Sequence, residues 1–232
     1  MSAYVKMTDA NCRTRGDTLW EPGVRVQCAD PNAPLGPSSS GVILCYAGAT
    51  QAEALALAAM MDPAHGRYGA QARVFAFTPE GEVRNGGDKA VCRAGAIGEE
   101  LTLPEPTDEQ RVEFGIRATL LMPQAADSRR WAARWLSGED RSAESAEMAA
   151  AATAEWTEAE EAAWPAEAAA WAWAAEWMPS ETAAWAAGTS AWSAAAAAAA
   201  AAANEDLPLP LASLALAVLE GRGEEFTEEV QS

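Results

Sequence analysis

An alanine-tryptophan tract over about residues 148–203 limits what this chain can fold into more than any other feature. Thirty of the fifty-five residues from Ala149 to Ala203 are alanine, and seven of the ten tryptophans fall there. Set out in sevens from Ala159, a large apolar residue recurs as Trp164, Trp171, Met178, Trp185 and Trp192. A fixed internal period sets architecture before any motif does. A seven-residue stripe drifts by about 20° per repeat on a straight helix, so it holds one face only over short segments or in a supercoil. Pro165 and Pro179 each remove an amide and clash with the turn before them, so they predict sharp kinks or breaks. Gly188-Thr189-Ser190 predicts another break. Indoles set against flat alanine surfaces interleave large with small, and burying each contributes on the order of 3 kcal/mol. The expected packing or binding residues are therefore Trp156, Trp164, Trp171, Trp177, Trp185 and Trp192. Trp131 and Trp135, one turn apart on a preceding helix, join them. Together they form either the core of a helical bundle or a contact surface.

Charge divides the chain. Residues 1–141 carry fifteen of the sixteen Lys and Arg against eighteen acids, whereas residues 142–221 carry twelve acids and no base. The net charge of −18 repels phosphates and anionic lipid, which argues against nucleic acid and membrane partners. The opening residues lack the apolar core of a secretory signal, and the Leu-rich run from Leu207 to Leu219 is too short to span a bilayer. Cys12, Cys28, Cys45 and Cys92 are widely spaced, with no C-x-x-C pair and a single histidine, His65. Free thiols in a reducing cytoplasm fit that spacing better than a metal site, so neither a metal nor a cofactor is expected. Fourteen arginines against two lysines, with abundant Ala, Gly, Pro and Trp, match the coding bias of a GC-rich genome.

Over residues 1–105 the pattern is that of short strands around one helix. Ala3–Thr8 and Val24–Cys28 alternate apolar with polar, and Gly41–Tyr46 is a continuous apolar run. Thr50-Gln51-Ala52-Glu53 is a capping box that opens a helix to about Met61, with a buried stripe of Leu55, Ala56, Ala59 and Met60. Strand-like runs come next at Ala72–Thr78 and Lys89–Ala96, with turns predicted at Pro79-Glu80-Gly81 and Asn85-Gly86-Gly87. A second capping box, Thr107 to Gln110, starts a helix that ends before Pro123. A short helix over about Asp127–Leu136 stops at Gly138 in the manner of a left-handed C-cap. Asp140 is placed to cap the N-terminus of the long alanine-rich helix. A last apolar helix covers about Leu211–Leu219.

From Thr107 the wording T-D-E-Q-R-V-E-F-G-I-R-A-T-L, then W-A-A-R-W-L-S-G-E-D-R-S-A and an alanine-rich repeat, resembles a group of alanine-rich phage- and prophage-associated bacterial proteins. The N-terminal module of that group has a glycine-led strand with an L-H-C-Y-like segment, a helix, and a hairpin ending K-V-x-C. This chain has Gly41-Val42-Ile43-Leu44-Cys45-Tyr46 and Lys89-Ala90-Val91-Cys92 at those places, with Leu44 where the group has histidine. The resemblance implies a phage link and no particular activity.

These readings converge on an α+β chain. A small mixed module spans residues 1–105, an Ala/Trp-rich all-helical region spans 106–221, and an acidic mobile tail spans 222–232. No phosphate loop, nucleophile elbow or HExxH is present. The expected function is that of a cytoplasmic, phage-linked accessory protein that binds a protein partner or assembles with itself through its helical region. The alternative is a group-transfer enzyme on the N-terminal module, with Tyr46, Glu99 and Glu100 as its only catalytic candidates.

Overall fold

The computed structural model describes residues 2–14, 18–28, 35, 42–61, 72–85, 89–121, 126–142 and 210–226. The strands are β1 (Ala3–Thr8), β2 (Arg13–Thr14), β3 (Thr18–Leu19), β4 (Arg25–Gln27), β5 (Ile43–Gly48), β6 (Arg73–Asn85) and β7 (Ala90–Leu101). The helices are α1 (Gln51–Met61), α2 (Asp108–Leu120), α3 (Ala126–Leu136) and α4 (Leu211–Leu219). One further helical turn covers 223–226.

The main sheet is antiparallel, in the order β4-β7-β5-β1-β6, and a β6–β7 pairing returns the order to its start. Strands β7, β5, β1 and β6 thus close into a ring, and β4 pairs alongside β7 beyond the end of β5. Closing so few strands requires strong bending, and β6 supplies it. Its register against β7 slips between Phe75 and Phe77 and again between Glu80 and Val83. Bulges of this kind kink a strand and increase its twist. Pro79-Glu80-Gly81, expected as a turn, therefore lies inside one long bulged strand that stays paired with β7 as far as Asn85. Opposite Pro79 sits Gly95, where a Cβ would come within 2.4 Å of the Phe77 ring. The ring can lie across β7 only because that residue has no side chain.

The two faces of the sheet bury different cores. Outward, Val5, Met7, Tyr46 and Val74 pack with α1 and α4 in one apolar cluster that also takes in Phe114 and Ala118 of α2. Inward, Trp20, Ile43, Cys45, Phe75, Phe77, Ala90, Cys92 and Ile97 fill the ring. Helix α1 opens on its capping box as expected. The Glu53 amide donates to Thr50 Oγ1 at 3.2 Å, and the Thr50 amide donates to Glu53 Oε2 at 3.3 Å. Its burial is wider than one stripe: Ala54 and every residue from Ala56 to Met61 are buried, with Leu55 half-buried. A helix apolar nearly all round is one enclosed on more than one side, and α4 is what encloses it.

That packing overturns the expectation of a separate all-helical region. Leu211, Leu214, Ala215 and Val218 of α4 belong to the same cluster as the sheet's outer face. Ser213 Oγ donates to Glu53 Oε1 of the α1 capping box at 3.1 Å. The Gln110 side-chain amide of α2 donates to the carbonyls of Val218 (3.5 Å) and Leu219 (3.3 Å). Among the described residues, α2 and α4 complete the core of an α+β fold built on an antiparallel sheet and α3 packs on α2; these helices do not form a bundle of their own. Phe226, expected in a mobile tail, packs half-buried against this core. The sequence does not reveal the union, because α4 resembles any apolar helix and its partner α1 lies some 150 residues earlier in the chain.

Candidate functional site

The expected catalytic trio does not converge. Tyr46 is buried on the helix-facing side of the sheet. Glu99 and Glu100 lie inside β7 and are exposed. Glu100 accepts from Arg73 Nε at 2.7 Å and from Arg73 Nη2, and this pairing holds its carboxyl below the usual carboxylate range. Arg73 also donates from Nη1 to Cys12 Sγ at 2.8 Å and stacks over the Phe75 ring at 5.1 Å. Cys12 sits at φ +59° in a tight turn closed by Asp9, whose carboxylate accepts from the amides of Asn11 and Arg13.

Trp131 and Trp135 do pack inward. With Ala132 they form a small cluster against Val112 and Ile116 of α2. Among the described residues the Trp131 indole N–H is buried without an acceptor. Helix α3 ends at Gly138, whose φ of +75° is the left-handed cap the sequence predicts. Asp140 accepts from the Ser142 amide at 3.0 Å. The Arg141 guanidinium stacks on Trp135 at 4.5 Å, donates to its carbonyl at 3.0 Å and pairs with Glu109. Trp156, Trp164, Trp171, Trp177, Trp185 and Trp192 lie outside the described residues, as does His65.

The most unusual chemistry is inside the ring. Lys6 of β1 alternates onto the inner face and is only 6% exposed. Its Nζ donates to Leu44 O at 2.5 Å and lies 5.1 Å from the centroid of the Trp20 ring. Cys45 comes from β5, Cys92 from β7, and Cys28 from the residue after β4. Burial pushes the Lys6 amine down to about 8, against a smaller opposing influence of Cys45, Cys92 and Cys28. The same burial pushes Cys45 up to about 12 and Cys92 up to about 11, and raises Cys28. The thiols are therefore neutral and poorly nucleophilic, while the amine gives up its proton far more readily than an ordinary lysine.

Trp20 is buried in this interior beside Lys6. Its indole N–H donates to Thr14 Oγ1 at 3.0 Å, its amide donates to the Cys12 carbonyl at 2.8 Å, and its ring meets Phe77 edge-on at 5.9 Å. All four cysteines are free. Among the described residues no group of three His, Cys, Asp or Glu could hold a metal ion, and no helix is long and apolar enough to cross a membrane. The signal that could have found Lys6 is its place in β1. In A-Y-V-K-M-T it stands on the face opposite Val5 and Met7, and nothing local tells that this second face is also enclosed. Compared with protein-family models, curated proteins and solved structures, the chain finds no match.

Proposed function

We propose that this protein is a phage-linked accessory protein that binds through its alanine-tryptophan tract, to itself or to a basic protein partner in the cytoplasm, with neither nucleic acid nor membrane as its target. The observation that carries the reading is that the folded core holds both flanks of the tract. Before it, Arg141 is fastened to Trp135 and Glu109. After it, Leu211 is fully buried in the main core. Between these two anchored flanks the sequence runs through residues 143–209. Eleven acids and no base in that stretch suit a basic surface, and seven indoles suit apolar anchor pockets. The resemblance of residues 107–143 to phage- and prophage-associated proteins supplies the biological setting.

Sedimentation velocity on the full chain and on a Trp171→Ala/Trp185→Ala variant tests the self-assembly form. The expected result is an oligomer that the double substitution dissociates, with circular dichroism of the core unchanged. For the basic-partner form, the same pair is titrated with a histone-like basic protein at physiological salt. A monomer that ignores the basic protein, or equal behaviour of both chains in both assays, would sink the reading.

A further inference from the structure

Fourteen of the sixteen basic side chains are arginine, and one of the two lysines is enclosed in the ring. The difference matters chemically. A guanidinium keeps its charge wherever it is placed, whereas an ammonium can shed a proton and become a nucleophile. Around Lys6 Nζ stand the Leu44 carbonyl, the Trp20 ring and the thiols of Cys28, Cys45 and Cys92, with the like charge of Lys89 also acting on it. None of these neighbours is an anion at neutral pH, so nothing in the ring fully offsets removing a cation from water. A reaction that turns the amine into a neutral group relieves that penalty.

We propose that Lys6 is a carbonyl-reactive amine, a covalent site for a small aldehyde that reaches the ring interior past Trp20. The unprotonated nitrogen adds its lone pair to the aldehyde carbon and a proton passes from nitrogen to the former carbonyl oxygen. The resulting carbinolamine loses water to leave an imine, Nζ=CHR, with no net oxidation or reduction. Burial leaves the Lys6 amine more readily unprotonated near neutral pH than an ordinary lysine. Phe75, Phe77 and Ile97 share the ring interior with it, which restricts the substrate class to aldehydes of few carbons. Trp20 is the group to be displaced: its ring lies over the amine, and two hydrogen bonds hold it to Thr14 and Cys12.

The test treats the native full-length chain with glycolaldehyde and sodium cyanoborohydride. Peptide mass mapping tracks Lys6, with Lys89 and the N-terminal amine as internal references. Lys6 should take up the reduced adduct at a rate that climbs with pH to a midpoint near 8. Trp20→Ala, checked for its fold by near-ultraviolet circular dichroism, should react roughly tenfold faster, because displacing the indole becomes unnecessary. Lys6→Arg should carry no adduct at that position. If Lys6 stays unmodified in the native chain while Lys89 reacts to completion, or reacts only in denaturant, the proposal is overturned. Because this outcome is read on the native chain, it stands even if Trp20→Ala does not fold. An unchanged rate in a folded Trp20→Ala overturns the route past Trp20.

Discussion

On its outer face the sheet meets α1 and α4 through Val5, Met7, Tyr46 and Val74, whereas on its inner face it encloses Lys6, Cys45 and Cys92 beside Trp20. The two faces belong to the same strands and differ by one residue in phase. The outer core is a packing device: apolar groups from elements distant in sequence interlock, and its energy comes from burial. The inner core encloses a titratable amine that is almost wholly removed from water. Both faces bury apolar residues, but the inner one also encloses the Lys6 amine, so mutations on the two sides should behave differently.

The largest effect should come from the outer core. Phe114 is fully buried where α2 meets α4 and the sheet cluster. Phe114→Ala should destabilise by about 3–5 kcal/mol in denaturant unfolding, the range for truncating a buried aromatic. A loss below about 1 kcal/mol would mean that α2 and α4 contribute little to a common core. A smaller effect should come from the ring. Gly95→Ala places a methyl against the Phe77 ring and the Thr78 carbonyl, and should cost about 1–3 kcal/mol through overpacking. If Gly95→Ala were neutral, the close approach of β6 to β7 at Pro79 would be wrong.

The smallest effect separates the two faces most directly. Lys6 has a folded-state pKa near 8 against 10.5 for the free side chain. Between those values the unfolded chain binds more protons than the folded one, so stability rises with pH. Cys45 and Cys92 act in the opposite sense. Their pKa values rise from 9.0 to about 12 and about 11, so the stability they contribute is present below 9 and lost as pH rises above it. Over pH 8–9 Lys6 alone contributes a gain of about 1 kcal/mol and the two thiols offset roughly two-thirds of it, so chemical denaturation should show a small net gain that reverses above 9. Lys6→Met should abolish that gain while remaining close to neutral at pH 7, because a buried unpaired charge is exchanged for an apolar chain of similar length. Equal pH slopes in both proteins would place the amine in water.

Local chemistry is readable along much of the chain. The two capping boxes form with their reciprocal hydrogen bonds, β1 and α4 have the bounds that patterning predicts, and Gly138 takes the left-handed cap. Each of these is decided within four or five residues, where backbone donors and side-chain acceptors meet whatever the rest of the chain does. Pro79-Glu80-Gly81 misleads for the complementary reason. Proline beside glycine marks a turn when the chain is read alone, but a long partner strand can absorb both as a bulge. The site is less legible still. Tyr46, Glu99 and Glu100 stand out in the sequence as polar groups near strand ends, yet Tyr46 faces the helices and Glu100 is committed to Arg73.

What the sequence determined by itself is a part of the elements: strand β1 with the face that carries Val5 and Met7, the capped starts of α1 and α2, the Gly138 stop after α3, and helix α4. Period, capping and turn chemistry are short-range, and they operate before any tertiary contact exists. Only the tertiary structure decided what those faces meet. Ring closure by the β6–β7 pairing turned the polar face of β1 into an interior and so drew a proton away from Lys6. The return of α4 onto α1 turned an apparently independent helical region into part of a single core. Both outcomes depend on contacts between residues far apart in the chain, and desolvation, which sets the chemistry of Lys6, exists only once those contacts have closed around it.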